Sequence, residues 1–140
     1  MTNEEKQLLI KDLCARLPYG VKVLYWHPKS GGAERRIGEL VNVDLRLNCA
    51  QLLFRVDEYY FEADSVDTSK PYLRPLSSMT DEEVKEFSAI ENTDIIAGST
   101  KITCMEITAD AIDYLISHHF DYRGLIPMGL ALEAPEGMYD

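Results

Sequence analysis

The chain has 140 residues, a net charge of −10, 46% hydrophobic residues and 27% charged residues, a composition typical of one globular domain with a full hydrophobic core. Its apolar runs are a few residues long, too short for a membrane-spanning helix, and the polar start at Met1–Glu5 predicts neither a signal nor a transit peptide. The three widely spaced cysteines, Cys14, Cys49 and Cys104, favour reduced, mostly buried thiols in a cytoplasmic protein over a disulfide framework or a zinc site.

Charge is distributed unevenly along the sequence. Residues 1–56 contain nine Lys/Arg and six Asp/Glu, a net +3, whereas residues 57–140 contain five Lys/Arg and eighteen Asp/Glu, a net −13. Such asymmetry bears on the choice of partner rather than on the fold. The acidic majority argues against non-specific nucleic-acid binding by the whole surface, because phosphate contacts need cations.

The first predicted element is an N-terminal helix. Thr2 and Glu5 have the spacing of a capping box, and the Pro and Gly of residues 18–20 end the helix. Asp12 and Arg16 are expected mostly on its polar side. The apolar stripe consists of Leu9, Ile10, Leu13, Cys14 and Leu17.

An antiparallel β-meander is predicted next. Alternating apolar residues indicate strands over 21–26 and 37–45, separated by a loop that contains Pro and paired Gly. A third strand covers 52–61, and Asp57 and Glu58 can interrupt it. The short strands are compatible with a small SH3-like barrel. One face of the second strand is expected to hold Ile37, Val41, Val43 and Leu45.

The second half, residues 70–140, is predicted to be an acidic helical part with an irregular tail. Thr80 with Glu83 predicts a helix of about three turns, and Thr108 caps a further helix that ends near His119. A short strand is predicted over 101–107. Because the strands cluster instead of alternating with helices, an α+β class is favoured, with 1–140 as a single domain and 1–69 as its helix plus β-meander.

Two stretches of the second half have a distinctive sequence. The first is KPYLRPLSSMT, from Lys70 to Thr80; the second is FDYRGLI from Phe120 to Ile126, followed by GLALEAPEGMY from Gly129 to Tyr139. They resemble an uncharacterised small-protein family of gut Bacteroides-type bacteria and their phages and mobile elements. The segment before Lys70 matches that family only loosely, as a variable β-rich piece. The resemblance implies a bacterial or phage cytoplasmic protein, and it brings no activity, cofactor or catalytic residue with it.

The first predicted hairpin gathers positive charge. His27, Lys29, Arg35 and Arg36 surround its loop, and Trp26 lies beside them. The loop lacks the order of a phosphate-binding P-loop, because Lys29 precedes the glycines and a strand follows them. The hairpin is therefore a candidate contact for nucleic acid or an acidic partner, although a solvated loop beside a core tryptophan is the simpler interpretation.

An acidic-aromatic segment covers residues 57–62, Asp-Glu-Tyr-Tyr-Phe-Glu, and Asp64 and Asp67 follow it with no cation between. A half-buried strand is the first interpretation. The second is a protein interface anchored by Tyr59 and Tyr60, because aromatic anchors dominate interface energetics. A metal site is third, because the spacing and central glycine of a calcium loop are missing.

His118, His119 and Asp121 form the nearest approach to a metal or acid–base cluster in the sequence. Adjacent histidines on a helix point about 100° apart, whereas zinc-binding pairs prefer i and i+4. A helix C-terminus also favours histidine through the helix dipole, so a structural role is favoured. Arg123 is expected to form an internal ion pair or to cap helix carbonyls.

These features predict a non-enzymatic accessory or regulatory protein that binds another macromolecule, with protein favoured as the partner. No cofactor, metal, catalytic residue or membrane contact is predicted, and the oligomeric state is left open. The alternatives are a small nucleic-acid-binding domain that uses the basic first hairpin, a metal-dependent hydrolase around His118, His119 and Asp121, and an acidic half that imitates DNA phosphate. The residues assigned to the contact are Trp26, Lys29, Arg35, Arg36, Tyr59 and Tyr60.

Overall fold

A computed structural model describes residues 1–27, 34–45, 50–91 and 108–139. Within these ranges the chain forms three α-helices: α1 (Asn3–Arg16), α2 (Asp81–Glu91) and α3 (Ala109–Ser117). The strands are β1 (Lys22–Trp26), β2 (Arg35–Asp44), β3 (Gln51–Arg55), β4 (Phe61–Ser65), β5 (Lys70–Leu73) and β6 (Leu132–Glu133). The strand predicted over 101–107, Lys29, Cys49 and Cys104 lie outside the described residues.

The strands form one sheet in the order β4-β3-β2-β1-β5-β6. All neighbouring strands are antiparallel except β5 and β6, which are parallel. The α+β class, with an N-terminal helix, an antiparallel meander and two later helices, is confirmed. The predicted third strand divides into β3 and β4 where Asp57 and Glu58 were expected to interrupt it. The sequence does not predict β6, in which two residues of the turn-rich tail pair with β5.

The SH3-like barrel is not confirmed. The backbone N–H of Trp26 donates to the Asp64 carboxylate at 3.0 Å, so β1 and β4 approach each other although two strands separate them in the sheet. A flat sheet would hold them about 14 Å apart, which means that the sheet is curled. This contact uses a side chain, and the described strands show no backbone ladder between β1 and β4.

α1 packs across one face of the sheet. Its Leu9 and Leu13 are fully buried against sheet residues such as Val23, and the Thr2 hydroxyl accepts the Glu5 N–H at 3.1 Å, as the sequence predicts. The Cys14 thiol is exposed, so its predicted burial is wrong. The buried side of α1 includes most of the apolar stripe and continues around the helix in the direction opposite to Cys14.

That buried side includes Asp12 and Arg16, which are fully buried, so their predicted place on the polar side is wrong. Arg16 Nε donates to the Asp12 carboxylate at 2.6 Å, and Arg16 Nη2 donates to the Phe120 carbonyl at 2.6 Å. Arg123 Nε donates to the same carboxylate at 3.1 Å, which confirms its internal ion pair. The cause of the burial is the segment around 120–123, which covers a second side of α1.

Gly38 lies on the inner face of β2, which is the face directed toward the core. The rings of Tyr25 and Phe54 stack above this glycine with centroids 4.2 Å apart, and a Cβ at position 38 would lie 2.8 Å from the Phe54 Cβ. Leu40, two residues on, is buried, whereas Ile37 is 48% exposed. The prediction that Ile37 shares one face with Val43 is therefore wrong, and a register shift between Leu40 and Asn42 separates the two.

α2 and α3 form a second core around Phe87 and Leu115, both fully buried. The capping box of α2 is reciprocal: the Thr80 N–H donates to the Glu83 carboxylate at 3.0 Å, and the Glu83 N–H donates to the Thr80 hydroxyl at 3.2 Å. Thr108 caps α3 through the Ala111 N–H. None of the described helices combines the length and apolarity needed to cross a membrane.

Candidate interaction surface

Side-chain alternation along β1 and β2 divides the predicted basic hairpin between two faces. Tyr25 lies opposite Arg36 in the register, and Trp26 lies opposite Arg35. Successive residues of a strand point to opposite faces. Tyr25 and Arg36 therefore lie on the inner face covered by α1, and Trp26 and Arg35 lie on the outer face.

Glu62 of β4 is the centre of a buried polar cluster on the inner face. Its side chain is only 1% exposed, and the His27 Nδ1 lies 2.7 Å from one carboxylate oxygen. The Tyr25 hydroxyl donates to the other oxygen at 2.6 Å, and Arg36 Nη1 donates at 3.3 Å. The Tyr60 hydroxyl donates at 3.4 Å. Two residues assigned to the interaction, Arg36 and Tyr60, therefore converge on an internal carboxylate.

The electrostatics of this cluster keep Glu62 ionised. Burial alone would raise the pKa of its carboxyl, but the hydrogen bond from Tyr25 and the charges of His27 and Arg36 hold the pKa below its usual range. Burial, followed by the hydrogen bond to Glu62, raises the pKa of the Tyr25 hydroxyl. Arg36 also donates to Glu34 at 3.2 Å, so its charge is compensated within the molecule.

Two arginine–aromatic pairs lie on the outer face. The Arg35 guanidinium lies 4.7 Å from the centre of the Trp26 ring, and the Arg55 guanidinium lies 5.9 Å from the centre of the Phe61 ring. In both pairs the two residues are direct cross-strand partners. Stacking on a ring orders a guanidinium and leaves the N–H groups at its edge for hydrogen bonds.

These two arginines differ from the others that the structure describes. Four arginines each contact at least one carboxylate: Arg16, Arg36, Arg74 and Arg123. Within the described ranges, neither Arg35 nor Arg55 has a carboxylate at salt-bridge distance. Arg55 lacks one even though Glu39 is its cross-strand neighbour. The described part of the chain therefore gives neither guanidinium a carboxylate partner, although the sequence has 24 acidic and 14 basic residues.

Exposed apolar side chains lie in and beside the two pairs. Ile37 is 48% exposed, Phe61 44% and Val56 37%. Ile37 and Val56 line a shallow depression of about 510 Å³, which Lys22, Glu39, Arg55, Asp57 and Glu58 border. An apolar centre with a charged rim is the usual anatomy of a protein interface. We call the set Trp26, Arg35, Ile37, Arg55, Val56 and Phe61 the outer-face patch.

The turn between β3 and β4 lies at the end of this patch. The Val56 N–H donates to the Tyr60 carbonyl at 2.9 Å, and the Tyr59 N–H donates to the Asp57 carboxylate at 2.9 Å. Tyr59 is 86% exposed, whereas the Tyr60 hydroxyl is directed to Glu62. Tyr60 is also 40% exposed, so Tyr59 is the more exposed of the two tyrosines assigned to an interface.

His118, His119 and Asp121 do not converge on a common point. The His118 ring stacks on Tyr114 with centroids 4.1 Å apart, and the His119 ring stacks on Tyr139 at 3.6 Å. The Asp121 carboxylate accepts two backbone N–H groups of the following turn at 2.8 and 2.9 Å. Burial and nearby positive charges lower the pKa of His119 to about 4. In the part of the chain that the structure describes, no group of three or more His, Cys, Asp or Glu could hold a metal ion.

A second cleft, of about 450 Å³, lies between β5 and the C-terminal segment. Several polar groups in and around it already have partners. Arg74 makes two hydrogen bonds with Glu83 at 2.7 and 2.8 Å, and the Tyr139 hydroxyl donates to the Tyr72 carbonyl at 2.7 Å while accepting the Lys22 N–H at 2.9 Å. This cleft is therefore a weaker candidate for binding an external ligand than the outer-face patch.

Comparison with known proteins adds no assignment to this geometry. No family model, curated protein or solved structure matches the chain. The outer-face patch is therefore interpreted from its own chemistry.

Four residues of the outer-face patch are absent from the sequence prediction of the contact: Ile37, Arg55, Val56 and Phe61. For Ile37 alone the sequence contains a signal, which is Gly38. A glycine inside a strand often marks the close approach of a neighbouring group, which would have placed position 38 on the inner face. Strand alternation then puts Arg35 and Ile37 outside.

Proposed function

We propose that this protein is a non-enzymatic accessory or regulatory protein that binds another protein through the outer-face patch. The observation that carries the proposal is the combination of exposed Ile37, Val56 and Phe61 with two arginines stacked on aromatic rings. Aromatic residues and arginine are enriched at protein interfaces and in their energetic centres. The resemblance of residues 70–80, 120–126 and 129–139 to bacterial and phage proteins supports a protein that is encoded by a bacterium or its phage and that acts in the bacterial cytoplasm.

Nucleic-acid binding has weaker support from the same geometry. The basic hairpin is divided between two faces, and Arg36 is paired with Glu34 and Glu62. A phosphate backbone needs several cations in line, whereas the rim of the outer-face patch includes Glu39, Asp57 and Glu58. The net charge of −10 adds long-range repulsion of a polyanion.

Affinity capture from the organism that encodes the chain tests the proposal, with two isoleucine variants compared. Ile37→Asp puts a charge into the centre of the patch, and Ile90→Asp puts the same charge at an exposed position on α2. We expect one protein to be recovered by the wild type and by Ile90→Asp and to be depleted at least ~10-fold by Ile37→Asp, which corresponds to ~1.4 kcal/mol. If both variants capture the same proteins as the wild type, the proposed function is wrong.

A further inference from the structure

We infer that the outer-face patch binds an extended segment of a partner protein in which two carboxylates lie four residues apart and an apolar side chain lies midway between them. The inference rests on the proposed function, because it specifies the chemistry of the protein segment that the patch would bind. It is carried by the two arginines that have no carboxylate partner among the described residues and by the register of β2 and β3.

The spacing follows from that register. Arg55 on β3 lies directly opposite Glu39 on β2, and Arg35 lies four residues before Glu39 on the same strand. At about 3.3 Å per residue, the two arginines are about 13 Å apart along the strand direction. Ile37 is midway between positions 35 and 39 and, by strand alternation, on the same face.

An extended peptide has the same period as the sheet beneath it. Its residues i, i+2 and i+4 share one face and span about 13 Å. An acidic residue at i, an apolar residue at i+2 and an acidic residue at i+4 would therefore meet Arg35, Ile37 and Arg55 together. A helical segment cannot do this, because its i and i+4 side chains are only about 6 Å apart.

Arg35 and Arg55 are preorganised to bind carboxylates. Each guanidinium lies over a ring, Trp26 or Phe61, so part of its side-chain entropy has been lost before binding. The planar edge of a guanidinium matches a carboxylate through two parallel hydrogen bonds. The acidic residues Glu39, Asp57 and Glu58 beside Arg55 repel additional negative charge, which disfavours a strand with a phosphate at every nucleotide.

NMR titration of the full-length, isotope-labelled protein tests this inference, because it detects weak peptide binding and locates it. The probe is a blocked nine-residue peptide of Ser and Thr with Asp at its positions 3 and 7 and Leu at position 5. The comparison probes are the same peptide with Asp at positions 4 and 6, the same peptide with Asn replacing Asp, and a nine-nucleotide oligothymidylate. We expect the first probe to shift the amide signals of residues 35–39 and 55 and to bind at least ~10-fold more tightly than the other three.

Charge-reversal variants provide the matched control. Arg35→Glu and Arg55→Glu are each expected to weaken the first probe at least ~10-fold, and Lys85→Glu, which changes an exposed cation on α2, is expected to leave its affinity unchanged. Spectra of the free variants show whether each remains folded. Equal weakening by all three variants, equal binding of the comparison peptides, or tighter binding of the oligothymidylate would overturn the inference.

The two proposals fail in different ways. If capture of a cellular protein depends on Ile37 while the first probe does not bind, the partner chemistry inferred here is wrong and the proposed function stands. If Ile37→Asp and Ile90→Asp capture the same proteins, the proposed function itself is wrong.

Discussion

Replacing Glu62 by Gln removes the charge at the centre of the inner-face cluster while scarcely changing the shape of the side chain. The wild-type carboxylate receives the Tyr25 hydroxyl and Arg36 and lies beside His27. The Gln amide has a single acceptor oxygen, and its NH₂ group would face other donors. The variant therefore weakens one short hydrogen bond and leaves at least one donor without an acceptor.

The expected cost at pH 7 comes from the burial and the partners of this carboxylate. A hydrogen bond to a charged group contributes ~1.5–3 kcal/mol, and breaking a buried ion pair from one side costs ~3–5 kcal/mol. The Arg36 side chain is 34% exposed and keeps Glu34 as a second partner, which reduces the second figure. We therefore expect Glu62→Gln to lower the free energy of unfolding by about 2–4 kcal/mol.

The free energy of unfolding that Glu62→Gln removes should decrease as the pH falls. Because the folded-state pKa of Glu62 is lowered, its stabilising contribution is fully present above the unfolded value of about 4.3 and disappears as the pH falls through the folded value. Urea unfolding of wild type and variant, followed by circular dichroism and by the fluorescence of the single tryptophan, Trp26, measures the difference. It should shrink below about pH 4.5.

Glu58→Gln is the matched control, because Glu58 is exposed in the neighbouring turn and its replacement should change the free energy of unfolding by less than ~0.5 kcal/mol. If Glu62→Gln also changed it by less than that, or if its cost were the same at pH 7 and pH 3.5, the ionised carboxylate would not be what stabilises this end of the sheet.

Three further changes test other parts of the structure, each by urea unfolding at pH 7. Gly38→Ala should cost ~1–3 kcal/mol, because the new Cβ would lie 2.8 Å from the Phe54 Cβ; an unchanged midpoint would contradict the ring stack above Gly38. Asp12→Asn should cost ~3–5 kcal/mol, because Arg16 would remain buried without its anion; a loss below ~1 kcal/mol would show that Arg16 finds another partner. Ile37→Asp should cost under ~1 kcal/mol, because that side chain is 48% exposed; a larger loss would contradict the exposed position of Ile37.

The sequence predicts the elements of this fold better than it predicts which faces are buried. Capping residues such as Thr2 and Thr80 locate helix starts, because the hydrogen bonds involved are local. The burial of Asp12 and Arg16 depends on Phe120 and Arg123, more than a hundred residues away. No local pattern distinguishes such a buried ion pair from an exposed one.

The residues of the candidate site also differ in whether local sequence or distant contacts decide their positions. The sequence predicts that Trp26 and Arg35 belong to one contact surface, because the two strands of a hairpin place such residues close together. That Arg36 turns inward to Glu62 depends on the register of β1, β2 and β4 together. Ile37 looks like a core residue by its hydrophobicity, and the neighbouring Gly38 is the one local sign that Ile37 lies on the outer face.

The bond from Arg16 to the Phe120 carbonyl joins residues 104 positions apart. During synthesis, α1 leaves the ribosome long before its arginine can meet that acceptor. Until residues 120–123 emerge, the second side of α1 has no cover, and its Asp12–Arg16 pair stays in water. A nascent chain that stalls before residue 120 would therefore present that side of the helix to other molecules.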